Sequence, residues 1–200
     1  MTMWPTILPI RMKNKPEHAA PISISLCQPS DPRWHALMLA LEQELKQLYP
    51  EMPELAELEQ AQFLLAHADE DEQSTALGCV AMQVLTLHDA EIQASDTNAK
   101  QINPTDINRT PKLVEIKRLF VDPSLRGQGL AKRLLQALEA LARQQQVSAI
   151  RLETGYLQHA AMALYRSLGY QPISAYGVYI GQSYSRCFEK RLKPAQSGGG

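Results

Sequence analysis

Two spacings of apolar residues divide the chain into strands and helices. Residues Ile22 to Leu26 alternate apolar and polar side chains with a period of two, which predicts a half-buried strand. Asp31 and Pro32 follow as a helix cap and a first helical residue. Apolar residues then recur at intervals of three and four, which predicts an amphipathic helix. They are Trp34, Leu37, Met38, Leu41, Leu45 and Leu48.

The same patterns predict further elements along the chain. Strands are expected at Phe63–Ala68, Ala76–Leu87, Lys112–Val121 and Val147–Thr154, and in the segments QPISAY and SRCFEKRL near the end. Helices are expected at Glu54–Ala61, at Gln128–Gln145 and in HAAMALYRSLGY, where Gly169 is a natural C-terminal cap. Four leucines lie on one face of the second of these helices: Leu130, Leu134, Leu138 and Leu141.

The segments that lack periodicity set the domain organisation. Residues 1–20 contain three prolines and little pattern, which predicts a loose leader before a single domain at residues 21–193. Residues 89–111 form a polar insertion that is either a functional flap or a solvated, disordered segment. The glycine-rich residues 194–200 predict a flexible tail.

Composition excludes several classes of partner. The 200 residues are 44% hydrophobic and 20% charged, with a net charge of −1, which favours a soluble globular protein and gives no bulk attraction for nucleic acid or an anionic membrane. No apolar run reaches the ~20 residues that span a bilayer, and the first residues do not match a secretory signal. Cys27, Cys79 and Cys187 are few and far apart, so we expect reduced thiols, a cytoplasmic location and no metal site.

The segment with the clearest chemistry is the turn Arg126-Gly127-Gln128-Gly129, between the strand predicted at Lys112–Val121 and the helix predicted at Gln128–Gln145. Unpaired amides and the dipole at a helix start attract anions, and glycines let a phosphate approach the backbone. The residues after Gly129 do not fit a Walker loop, and Lys132 stands where a dinucleotide fingerprint needs glycine. The alternative is a tight turn without a ligand.

Two blocks resemble the GNAT superfamily of N-acetyltransferases. Arg126-x-x-Gly129-x-Ala131 is similar to its coenzyme motif, Gln/Arg-x-x-Gly-x-Gly/Ala, and Ala161–Ile173 resembles the helix and strand beside the coenzyme thiol. The resemblance implies an α/β fold, with a mixed, mostly antiparallel central sheet of about six to seven strands flanked by about four helices. It also implies that residues 21–193 are one acyltransferase domain.

The resemblance further implies acetyl-coenzyme A as cosubstrate and assigns residues to it. The positions that would contact the coenzyme are Leu119, Phe120, Val121, Arg126, Gly127, Gln128, Gly129, Leu130 and Ala131, together with His159 where many relatives have asparagine. A bulge in the strand before the turn would point an amide at the thioester carbonyl.

The catalytic candidates are Glu115 as base and Tyr165 as acid. A glutamate of pKa ~4.3 and an amine of pKa ~10 differ by about six units, or ~8 kcal/mol, so whether Glu115 acts directly or through water stays open. Strand alternation places Glu115, Lys117 and Leu119 on one face. The alternatives are a surface carboxylate balanced by Lys117, and a core tyrosine whose hydroxyl is bonded elsewhere.

The leading hypothesis is an N-acetyltransferase that transfers acetyl directly to a primary amine of a small molecule or peptide. In relatives, the acceptor pocket is formed by the first helix pair and the loop before the last strand, here Trp34–Ala68 and residues 176–179. Glu51, Glu54 and Glu57 either favour a cationic acceptor or solvate a helix. The alternatives are a coenzyme A-binding regulatory module with little or no turnover, and a phosphate-binding structural domain; a homodimer is left open.

Overall fold

The computed structural model describes residues 21–52, 54–68, 75–85 and 112–193. The predicted leader, the insertion at 89–111 and the tail at 194–200 lie outside the described residues. The strands are β1 (Ile22–Cys27), β2 (Ala61–Ala68), β3 (Ala76–Val84), β4 (Leu113–Val121), β5 (Ala149–Gly155), β6 (Gln171–Ile173) and β7 (Ser185–Arg191). The α-helices are α1 (Pro32–Leu48), α2 (Leu130–Gln144) and α3 (His159–Ser167).

The strands form a seven-stranded sheet in the order β1-β2-β3-β4-β5-β7-β6. β1 pairs antiparallel with β2, and β5 pairs antiparallel with β7. β4 and β5 run parallel, from Leu113↔Ala149 to Ile116↔Leu152. The mixed, mostly antiparallel sheet confirms the expected fold class, with three α-helices and two short 3-10 turns in the part of the chain described.

Helix α1 begins as its sequence predicts. The Asp31 side chain accepts a hydrogen bond from the Arg33 amide at 2.9 Å, and Pro32 is the first helical residue. The Asp31 carboxylate therefore provides an acceptor for one of the amide donors that lack an intrahelical partner at a helix start. Trp34, Leu37 and Leu41 are buried, which confirms the predicted apolar face.

The short helix predicted at Glu54–Ala61 is wrong. Residues 54–58 have no regular structure, Gln60 adopts a φ of 48°, and Ala61 already begins β2. Leu55 and Leu58 pack against the core, and the Arg118 guanidinium donates to the Ala56 carbonyl at 2.6 Å. A helix of eight residues is marginal in isolation, so these tertiary contacts decide the conformation.

The chain divides into two compact units, and the first comprises the described residues of Met1–Met82 and Arg118–Glu139. Its core combines α1 with β2, β3 and part of β4: Trp34, Leu37, Leu41, Phe63, Leu65, Ala76, Cys79, Ala81 and Phe120. The Trp34 and Phe63 rings meet edge to face at 4.7 Å. Gly78 is required by close packing, because a Cβ there would lie 2.9 Å from the Phe120 carbonyl oxygen.

The second unit comprises the described residues of Gln83–Lys117 and Ala140–Gly200. Val114, Ile150 and Leu152 are fully buried on its parallel pair of strands. The Tyr165 ring of α3 lies 6.1 Å from the Phe188 ring and 6.0 Å from the Tyr170 ring. These aromatic contacts hold α3 against β7 and the start of β6.

Candidate active site

The glycine turn lies in the first unit and connects β4 to α2. After Val121, the Asp122 carboxylate accepts a hydrogen bond from the Ser124 amide at 2.9 Å and caps a 3-10 turn over Pro123–Leu125. Gly127 and Gly129 then adopt φ values of 75° and 80°. Only glycine takes this left-handed region without cost, so the two glycines allow the chain to enter α2 directly.

The amides of this turn are available to a ligand. The first main-chain hydrogen bond of α2 runs from the Arg133 amide to the Gly129 carbonyl at 3.1 Å. Within the described residues, none of the amides from Gly127 to Lys132 donates to a main-chain carbonyl. A Cβ at Gly127 or Gly129 would meet nothing within 4 Å, so the surface is open. Consecutive free amides at a helix start form an anion-binding cradle.

The Arg126 side chain has partners that its sequence position did not predict. Its Nε donates to the Val121 carbonyl at 3.0 Å, and its Nη1 donates to Glu44 of α1 at 3.2 Å. The guanidinium also lies 5.4 Å from the Phe120 ring centroid. Arg126 therefore ties the turn to the end of β4 and to α1, while the neighbouring Lys132 is exposed.

The remaining residues expected to contact the coenzyme lie around this turn. Phe120, Val121 and Leu130 are buried, Leu119 and Ala131 are half-buried, and Gln128 is exposed. Arg118 has a φ of 59° inside β4. A left-handed residue produces a local irregularity in a strand, and this one directly precedes Leu119–Val121, where the resemblance implies a bulge.

Glu115, in the second unit, is buried at 4% exposure and is fully engaged. Its Oε1 accepts hydrogen bonds from the Tyr176 hydroxyl at 2.9 Å and the Tyr179 hydroxyl at 2.8 Å. Its Oε2 lies 3.0 Å from the Lys117 ammonium, which also donates to the Tyr179 hydroxyl. Glu115 is therefore not a surface carboxylate, although the pairing with Lys117 is present.

The two tyrosines that hold Glu115 were missed as its partners. They lie 61 and 64 residues along the chain from Glu115, and the only local signal was their place in the loop before the last strand. Burial, followed by the charge of Glu115, raises the pKa of Tyr176 and Tyr179 far above the usual range of a phenol. Both hydroxyls therefore stay protonated and act as donors.

Tyr165 lies in the same unit as Glu115 and has a different environment. Its side chain is buried at 5% exposure, and among the described residues no hydrogen-bond partner of its hydroxyl is found. Burial, reinforced by the charge of Glu153, raises the pKa of Tyr165 well above that of an ordinary phenol. Tyr165 is thus a protonated donor whose hydroxyl is not committed to another described group.

Glu153 of β5 is a second carboxylate that sequence reasoning missed. It is half-buried, and burial raises its pKa against the opposing effects of a Ser185 hydrogen bond and the Lys117 charge. Glu153 stands two residues after Arg151, whose Nε pairs with Glu189 at 2.9 Å. A glutamate in a strand of alternating character gives no sign of such surroundings.

His159 lies at the start of α3 and is exposed. The preceding cap residue, Gln158, makes no capping hydrogen bond with its side chain. In the described ranges, no cluster of three or more His, Cys, Asp and Glu residues is arranged to hold a metal ion. Nor do the described helices include one that is both long enough and apolar enough to cross a membrane.

Comparison with known proteins gives the family. A sequence model of the acetyltransferase (GNAT) family matches residues 32–170. An IAA acetyltransferase of Azospirillum brasilense is 41% identical over 78 residues, which are 39% of this chain and 51% of that protein. Human N-acetyltransferase 8 is 43% identical over 60 residues, 30% of this chain and 26% of that protein. The matches thus span about half of the first relative's length and about a quarter of the second's.

Solved structures of similar fold include N-acyltransferases. A protein of Klebsiella pneumoniae subsp. pneumoniae described as an acyl-CoA N-acyltransferase has a TM-score of 0.62 and 32% identity, with 86% of this chain and 98% of that chain covered. Arabidopsis thaliana NAA60, crystallised with acetyl-CoA, has a TM-score of 0.60 at 21% identity and the same coverage, and shows the fold alone. The family match across more than half of the sequence shows that this chain belongs to the acetyltransferase (GNAT) family.

Proposed function

We propose that the chain transfers an acetyl group directly from acetyl-coenzyme A to a primary amine of a small molecule or peptide. The observation that carries the proposal is the open run of free amides between Gly127 and Lys132. A diphosphate is the part of the coenzyme that such a cradle fits. Membership of an acetyltransferase family supplies the reaction class.

In this proposal, the coenzyme is held mainly by the main chain. The amides from Gly127 to Ala131 bind the diphosphate, and Arg126 supports the turn through its bonds to Val121 and Glu44. Main-chain groups of Leu119–Val121 contact the pantetheine arm. The left-handed residue Arg118 supports an amide directed at the thioester oxygen, a donor worth ~3 kcal/mol to the transition state. His159, exposed at the start of α3, adds one hydrogen bond.

Tyr165 is the proposed acid for the departing thiolate. Its raised pKa keeps the proton on the phenol until a stronger acceptor develops, and its hydroxyl has no competing partner among the described residues. A phenol of pKa ~10 and a thiol of pKa ~8.5 differ by only ~2 kcal/mol in proton affinity before burial acts. The hydrogen bond to sulfur would therefore strengthen late in the reaction.

Glu115 has an indirect role in this proposal. Three donors already contact its two oxygens and the side chain is buried, so an incoming ammonium would have to compete with Tyr176, Tyr179 and Lys117. Removing one partner of a buried charged pair costs ~3–5 kcal/mol. Glu115 instead fixes the two tyrosines, and with them the loop that the family resemblance assigns to the acceptor pocket.

The test is a thermal-shift titration with acetyl-coenzyme A, followed by thiol release in a panel of amines. The panel contains spermidine, tyramine, amino acids and peptides with a free N-terminus or a lysine. A shift in unfolding temperature together with thiol release that needs an amine is the expected result. Binding without thiol release would indicate a regulatory module, and the absence of any shift would remove the coenzyme from the account.

A further inference from the structure

The geometry points to Glu153 as the carboxylate that takes the proton from the acceptor ammonium. This inference rests on the proposed acetyl transfer and deepens it, because it names the residue that meets the amine. It starts from a problem at Glu115. The carboxylate nearest to the family pattern already contacts three donors and is almost completely buried.

The register of the sheet places Glu153 next to that buried carboxylate. Glu115 pairs with Arg151 across the parallel strands, and Glu153 is two residues further along β5, on the same face as Arg151. Opposite Glu153 on β7 stands Cys187. Among the described residues, the pairing of β4 with β5 ends at Ile116 and Leu152, one residue before Glu153.

The charge of Glu153 acts on both sides of the proposed chemistry. It contributes to the raised pKa of Tyr165, the proposed acid, and of Tyr179, which binds Glu115. The groups that affect the pKa of Glu153, or whose own pKa its charge affects, come from four elements or turns. They are Glu115 and Lys117 of β4, Ser185 and Cys187 of β7, Tyr165 of α3, and Tyr179 of the 3-10 turn Gly177–Tyr179.

The charges around Glu153 favour the binding of a cationic substrate. Lys117 is the cation that acts on both Glu115 and Glu153, while Arg151 is paired with Glu189. Glu153 is half-buried, and the hydroxyl of nearby Ser185 donates to the Gln182 side-chain oxygen at 3.4 Å. One carboxylate charge is therefore left for the ammonium of the acceptor, at a group to which water and ligands have partial access.

The proton and bond changes balance without another reactant. The ammonium gives one proton to Glu153, which releases it to solvent, and the neutral nitrogen forms the C–N bond as the C–S bond breaks. The second proton of the nitrogen replaces the one that Tyr165 gives to sulfur. The products are an acetamide, the free coenzyme thiol and one proton.

The test compares Glu153→Gln with Glu115→Gln and with the exposed surface control Glu59→Gln. For the panel amine that releases most thiol, Glu153→Gln is expected to lower kcat/KM for the amine by about 100-fold or more. The affinity of Glu153→Gln for acetyl-coenzyme A should equal that of the parent. Glu59→Gln should equal the parent in both kcat/KM and coenzyme affinity. The defect should shrink at high pH and with hydroxylamine, whose nitrogen is neutral near pH 7 and needs no base.

The pH dependence of kcat/KM distinguishes a base at Glu153 from a structural role. The parent's kcat/KM should rise with pH through the pKa of Glu153, which burial raises, and this limb should be missing in Glu153→Gln. Parent-like turnover in Glu153→Gln, or loss of the limb in Glu115→Gln alone, would overturn the inference. A deficit equal at all pH values and with hydroxylamine would also overturn it. Failure of the parent to bind the coenzyme would instead refute the proposed function.

Discussion

Replacing Gly129 with glutamate tests the diphosphate cradle, and Gly169 provides a matched control. Both glycines have a positive φ, 80° and 87°, and a Cβ at either would meet nothing within 4 Å. The two substitutions therefore add the same side chain, the same charge and the same backbone strain. Gly129 precedes α2, whereas Gly169 follows the C-terminal end of α3.

The structure predicts that Gly169→Glu loses more stability than Gly129→Glu, whereas Gly129→Glu loses more affinity for acetyl-coenzyme A. A left-handed non-glycine residue costs ~1–2 kcal/mol. A carboxylate stabilises a helix start and destabilises a helix end by ~0.3–1 kcal/mol. Gly129→Glu should therefore lose ~0–2 kcal/mol of unfolding free energy and Gly169→Glu ~1–3 kcal/mol. At ~2–4 °C per kcal/mol, the unfolding temperature should fall further in Gly169→Glu.

Only Gly129→Glu should weaken the binding of acetyl-coenzyme A. A carboxylate about 4 Å from a diphosphate charge costs ~4 kcal/mol at an effective dielectric constant of ~20, which is nearly a thousandfold in Kd. Isothermal titration with acetyl-coenzyme A measures this, with unfolding temperatures recorded on the same preparations. A parent-like Kd in a folded Gly129→Glu variant would refute the cradle, and equal losses in both variants would show that strain, not charge, is responsible.

Three further outcomes follow from the structure. Tyr165→Phe should lower turnover while leaving the Kd for acetyl-coenzyme A within about twofold, and parent-like thiol release would remove Tyr165 from the mechanism. Gly78→Ala should cost ~1–3 kcal/mol in chemical denaturation, because its Cβ would lie 2.9 Å from the Phe120 carbonyl; unchanged stability would contradict that packing. Burial raises the pKa of Cys187 to about 11 and of Cys27 to about 12. At pH 8, roughly one Cys187 in a thousand is a thiolate, so alkylation followed by mass spectrometry should be slow in the native protein, faster at higher pH and complete after unfolding.

Arg126 makes contacts that its place in the motif did not predict. A guanidinium beside two glycines suggested a direct phosphate contact, but in this structure it bonds Val121 and Glu44. The pair is partly exposed, so its own contribution to stability is small, ~0–1 kcal/mol. Its larger effect is geometric, because it fixes the turn whose amides carry the proposed ligand.

Local sequence was sufficient to predict helices α1 and α2 and the glycine turn between β4 and α2. The three-and-four spacing in α1, the cap at Asp31 and the leucine face of α2 were all confirmed, since each depends on residues within a few positions of one another. The turn at Gly127 and Gly129 could likewise be predicted from sequence, because a left-handed backbone conformation strongly favours glycine.

Tertiary structure decided the features that depend on distant residues. Residues 54–58 pack against the core without forming the predicted helix. Glu115 binds two tyrosines that lie more than 60 residues away in the sequence. The surroundings of Glu153 arise only when β4, β5, β7 and α3 come together. Periodicity reports which face of an element is buried, but not what faces it, because pairing across a sheet is fixed by the whole chain.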